Sequence, residues 1–144
     1  MNIVNLTKQI SRARSVHKEL TEQIELSVGS KKHVINAEGL YKQNEQQYYV
    51  LLRCTHELDQ FLKKENLILT FEEKTYFETL LVYIKSLLKA IQYFPKLTYF
   101  FWQKSLGRNQ DRFYQTAFVR DWSKYQMLGA QAGMMLGRVK QFNN

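Results

Sequence analysis

Ile3, Leu6, Ile10, Ala13, His17, Leu20 and Ile24 recur at three- and four-residue steps. That spacing predicts a helix from about Asn2 to Val28 with these side chains on one stripe. Gly29 follows, where a left-handed cap costs no Cβ clash. A second helix is expected from about Lys32 to Glu65. Val34, Ala37, Tyr41, Asn44, Tyr48, Leu51, Thr55, Leu58 and Leu62 repeat there at the same spacing, a bundle seam weakened by Asn44 and Thr55. After a short link, Thr70 and Glu73 have the spacing of a capping box. A third helix then runs from Phe71 to about Phe94, with Leu80, Leu81, Ile84, Leu87, Leu88 and Ile91 as a broad apolar face. Pro95 has no amide hydrogen and disfavours helix at the residue before it, so the chain is expected to kink or restart there. Lys96 to Leu106 would be a short continuation ended by Gly107. The last helix is expected from near Asn109 to about Phe142, presenting Tyr114, Phe118, Trp122, Tyr125, Leu128, Ala132, Leu136 and Val139. Helices of this size are roughly 35 to 50 Å long at 1.5 Å per residue. Joined by short links, they predict an all-α fold: one domain, residues 1–144, built as an antiparallel up-and-down four-helix bundle.

Composition agrees with that picture and adds a question about partners. The chain has 144 residues, 44% of them hydrophobic, enough for one soluble domain with a real core. Its single cysteine, Cys54, cannot form an internal bridge, so a reducing, non-secreted compartment is expected. Met1 to Leu26 has charges throughout and no apolar run, unlike a secretory signal. The most apolar stretch, Leu80 to Trp102, is interrupted by Lys85, Lys89, Pro95 and Lys96. The formal net charge is +8, and it is unevenly placed. Up to Thr75 there are eleven Lys and Arg against ten Asp and Glu; beyond it there are ten against three. Fifteen of the twenty aromatic residues also lie from Tyr76 onward. Rings beside cations suit an anionic partner with flat or apolar faces, either nucleic acid or an anionic membrane surface. The same composition also fits rings in the core beneath a solvated rim of lysines.

Two clusters stand out. Lys104, Arg108 and Arg112 lie four apart around Gly107, near Trp102. With Lys96, Arg120 and Lys124 they form the expected nucleic-acid surface. Gly129, Gly133 and Gly137 lie four apart inside the last helix, each costing about 1 kcal/mol against alanine. Close approach of another helix would compensate, from a partner protein, a second copy or the same bundle.

Catalytic patterns are poor. Arg12 and His17 have the Arg-x4-His spacing found in small helical ribonucleases of the HEPN type, but His17 sits on the seam of the first helix. Cys54 and His56, two apart, point to different sides of a helix. His17, His33 and His56 are far apart, and Arg53 stands where a di-iron Glu-x-x-His motif would need a glutamate. No catalytic residue, metal site, cofactor or small-molecule substrate is expected. The sequence reads as a non-catalytic basic helical protein that contacts an anionic macromolecule, nucleic acid favoured, through its aromatic C-terminal half. The alternative is an assembly subunit, membrane-peripheral or not, docking through Gly129, Gly133 and Gly137.

Overall fold

The computed structural model describes residues 1–28, 36–106 and 112–142, with backbone alone at 105 and 112–114. It holds four helices: α1 Ile3–Val28, α2 Ala37–Glu65, α3 Phe71–Ser105 and α4 Arg112–Gln141. Each packs on its neighbour in the chain, consistent with an up-and-down bundle, and α3 is the central element between α2 and α4. The expected roles of Gly29, Lys32, His33, Val34, Gly107, Arg108 and Asn109 fall outside the described residues. So do those of the Arg112, Phe113 and Tyr114 side chains.

Helix ends follow local chemistry. Asn36 caps α2 ahead of Ala37, its side chain accepting from the Gly39 amide at 3.0 Å. The capping box at α3 is complete: Thr70 Oγ1 accepts from the Glu73 amide, and the Thr70 amide donates to the Glu73 carboxylate, both at 3.1 Å.

The core forms two apolar clusters stacked along the bundle. One gathers Leu6, Ile10 and Ala13 with Leu51, Leu58, Ile84 and Val139; the other gathers Leu20, Ile24 and Leu40 with Phe94, Leu97, Phe101 and Phe118. Cys54 packs in the first, and burial pushes its thiol pKa up. Tyr41, expected on the α2 seam, is instead exposed.

Between the clusters lies a polar layer to which every helix contributes. α3 does not restart at Pro95 but continues as one helix to Ser105. Proline at position 95 deprives the Ile91 carbonyl, four residues earlier, of its helical donor. Asn44 of α2 supplies a replacement: its Nδ2 donates to the Ile91 oxygen at 2.9 Å. The Asn44 Oδ1 then faces His17 Nδ1 of α1 at 3.2 Å, and His17 Nε2 is met by the Tyr125 hydroxyl of α4. Thr21 Oγ1 lies 2.6 Å from that hydroxyl. A carbonyl oxygen can only accept, which with a neutral ring sets the direction of three donors: Asn44 donates to Ile91, His17 to Asn44 and Tyr125 to His17. The Thr21 hydroxyl beside Tyr125 donates to the His17 backbone carbonyl at 3.0 Å. Asn44, expected to weaken the seam, is thus 2% exposed and hydrogen-bonded on both sides of its amide.

If Asn44 replaces the amide missing at Pro95, the two positions are energetically coupled. Asn44→Ala should cost about 1–3 kcal/mol in the natural chain. In a Pro95→Ala background, where the helix recovers its own donor, it should cost roughly 1 kcal/mol less. Urea denaturation of the four proteins measures this, and additive effects would refute the linkage.

Candidate functional site

α1 and α4, the outer pair of an up-and-down bundle, do not close on each other. Among the described residues no Cα of α1 lies within 8 Å of one in α4. The side chains of Tyr125, His17 and Thr21 bridge the gap at one level. Alongside them is a cavity of about 530 Å³. Its floor is Tyr83, Leu87 and Ala90 of α3; α4 gives Tyr125, Gly129, Ala132, Gly133 and Leu136; α1 gives Arg14, His17, Lys18 and Thr21 and, toward its far end, Glu22 and Glu25. A second cavity of about 250 Å³, bounded by Thr7, Leu80, Val139 and Lys140, shares Arg14, Tyr83 and Leu136 with the first. Together they form a slot from Thr7 to Glu25, roughly 27 Å along α1.

The glycine ladder borders this opening. Gly129, Gly133 and Gly137 are all exposed, and a Cβ built on any of them would meet nothing within 4 Å. Of the contacts the spacing allows, a tight crossing within the bundle is therefore not found: among the described residues no element lies against these glycines. The fold offers no contact that offsets what they cost α4.

The expected basic surface comes together only in part. Lys85, Lys89 and Lys96 share the outward face of α3 with Tyr99, all four exposed. Lys96 Nζ stands 4.5 Å from the centre of the Tyr93 ring, whose hydroxyl donates to Asp121 at 3.0 Å; Asp121 also lies 3.7 Å from Arg120 Nε. Tyr93 and Asp121 therefore stand between Lys96 and Arg120 at the α3/α4 seam. Lys104 and Lys124 are exposed, while Arg108 and the Arg112 side chain lie outside the described residues. The rings mostly turn inward. Tyr83, Phe94, Phe101, Phe118 and Tyr125 are buried, whereas Tyr99 and Trp102 stay exposed, 6.0 Å apart, near Tyr41 and Pro95.

His17 is 5% exposed, its ring nitrogens facing Asn44 and Tyr125 rather than Arg12, which is exposed. Desolvation lowers its pKa from 6.5 to about 4, against a small opposing effect of the Asn44 bond, so the ring is neutral at pH 7. Burial pushes Tyr125 up to about 12, which keeps its proton available to His17. Among the described residues no group of three or more His, Cys, Asp or Glu could hold a metal ion, and no helix is long and apolar enough to cross a membrane. Comparisons with protein-family models, curated proteins and solved structures return no match.

Sequence reasoning missed the slot and Tyr83. It did place His17 and Asn44 on their seams, and two polar residues at core positions of neighbouring helices were the available signal for the polar layer.

The His17 shift makes stability depend on pH. Above 6.5 the ring is neutral in both states. Between 6.5 and about 4 the unfolded chain takes a proton that the native ring refuses. Stability should fall across that window by an amount of order 3 kcal/mol and show no further loss from this group below it. His17→Gln should lack that component, which is read as the difference between the two proteins in urea melts from pH 4 to 8.

Proposed function

We propose that the protein is a non-catalytic assembly subunit that docks a helix of another protein along the α4 glycine ladder. The observation that carries this reading is the open space at Gly129, Gly133 and Gly137. Three interior glycines cost the helix roughly 3 kcal/mol in total, and the bundle gains no packing from them. Their benefit therefore lies outside the chain. A stripe without side chains over two turns lets a second backbone come close along its length, and a straight helix fits that shape. On the α1 side, Glu22 and Glu25 stand exposed at one end of the opening and Lys18 beside them, so the docked helix would carry basic residues toward the glutamates.

Replacing each glycine by alanine should stabilise the isolated chain, by about 0.5–1 kcal/mol per site in urea melts. Gly137→Leu should leave the fold intact and remove the chain from its assembly. A photo-crosslinker at Gln126 should join the natural chain, in its own cells, to a helical segment of another protein, while one at Lys85 on the outward face of α3 should not. Destabilisation by alanine, or no crosslink from Gln126, would remove the proposal.

A second reading is contact with an anionic macromolecule, nucleic acid first, favoured by the exposed row of Lys85, Lys89 and Lys96 ending at Tyr99. Among the described C-terminal rings, Tyr99, Trp102 and Phe142 are the exposed ones, and of these Tyr99 and Trp102 lie at the end of the lysine row. Filter binding at two salt concentrations should show affinity falling steeply with salt, with a log–log slope that lessens by about 1 for each lysine replaced by glutamine. No retention of single- or double-stranded nucleic acid at low salt would dispose of it.

A further inference from the structure

The slot beneath the glycine ladder raises a separate question, because a helix resting on the ladder would cover the slot without filling it. Its walls are chiefly apolar, with Leu87, Ala90, Ala132 and Leu136 along the larger cavity. Polar side chains interrupt that lining on the α1 wall, where Lys18, Glu22 and Glu25 stand toward the far end, and at the boundary shared with the smaller cavity, where Tyr83 and the exposed Arg14 lie. Tyr83 is 3% exposed, and its hydroxyl is buried with no hydrogen-bond partner. Such a group ordinarily has a partner, since leaving a buried donor unsatisfied is destabilising. Arg14 lines both cavities beside Tyr83 and acts on it electrostatically; among the described residues it makes no ion pair.

We infer that the slot binds a single unbranched acyl chain ending in an anion. The anionic head accepts a hydrogen bond from the Tyr83 hydroxyl and pairs with Arg14. The chain lies along Leu87, Ala90 and the bare backbone at Gly133 and Gly129. From Arg14 to Glu25 the larger cavity extends for roughly 16 Å, and its volume of about 530 Å³ is in the range of small-molecule sites. The inference goes beyond helix docking and does not depend on it, because the isolated chain carries the whole slot.

The probes are dodecanoate and lauroyl lysophosphatidic acid, each below its micelle concentration, with dodecanol as the uncharged control and calorimetry on the full chain as the readout. Dodecanoate should bind at least tenfold more tightly than dodecanol. Binding of dodecanoate alone identifies a free fatty acid as the ligand; binding of the lysophospholipid as well, or alone, identifies a lipid headgroup as an accepted source of the anion. Binding of neither, or equal affinity for dodecanol, overturns the inference. Tyr83→Phe should have two effects of opposite sign. It should raise the melting temperature of the empty protein by a few degrees, by removing the unpaired hydroxyl, and weaken dodecanoate about tenfold while leaving dodecanol unchanged. A merely structural tyrosine would not separate the two ligands, and that result would count against the assignment. Gly133→Leu, which puts a side chain into the slot, should abolish binding of both, whereas Gly137→Leu, on the ladder but not lining the slot, should leave dodecanoate binding intact. Dodecanoate binding retained in Gly133→Leu would place the ligand elsewhere and refute the site.

Discussion

A single missing hydrogen organises the middle of this bundle. Proline at position 95 leaves the Ile91 carbonyl without its helical donor, in a part of α3 that is buried. A buried acceptor of that kind needs a partner from another element. Asn44 provides it, which turns its own oxygen toward His17, and His17 then presents a lone pair to the Tyr125 hydroxyl. Each of these steps leaves the next group one role. The neutrality of His17 belongs to the same chain of causes, because the burial that makes the bonds strong also makes a charge on the ring expensive.

Much of the fold was legible in the sequence because it depends on periodicity, which one chain displays directly. The α1 stripe from Leu6 to Ile24 is buried as its spacing requires, and Thr70 with Glu73 makes the box their separation implies. At Pro95 the sequence left a kink or a restart open, and the helix continues, for a reason that is not local. Proline's effect on its own helix can be read from neighbouring residues, but the rescue by Asn44 comes from 47 positions away. Tyr41 had the right phase for the seam and still faces outward, since phase places a residue on a stripe without fixing how far the stripe's edge is covered.

The candidate site was less legible. Gly129, Gly133 and Gly137 were visible as an anomaly in a helix, and their spacing pointed to a contact. Whether the contact was internal depended on how far α4 stands from α1, which no local pattern encodes. The slot follows from the same separation: it exists because two stripes that each satisfy α3 do not also satisfy each other. Tyr83 does not stand out in the sequence, and its unpaired hydroxyl becomes apparent only once its surroundings are assembled. For the ring-rich second half, composition says that rings and cations share a region but not that they share a surface.

The polar layer also bears on how the helices are aligned along the bundle. Apolar stripes could slide past one another by a turn, about 5.4 Å, with similar burial. A slide of α4 along α1 would carry the Tyr125 hydroxyl away from His17, and one of α2 would take the Asn44 amide from the Ile91 carbonyl. Either would leave polar groups in oil with nothing to hold. The sequence thus fixes the register of its helices with a handful of atoms in its midsection.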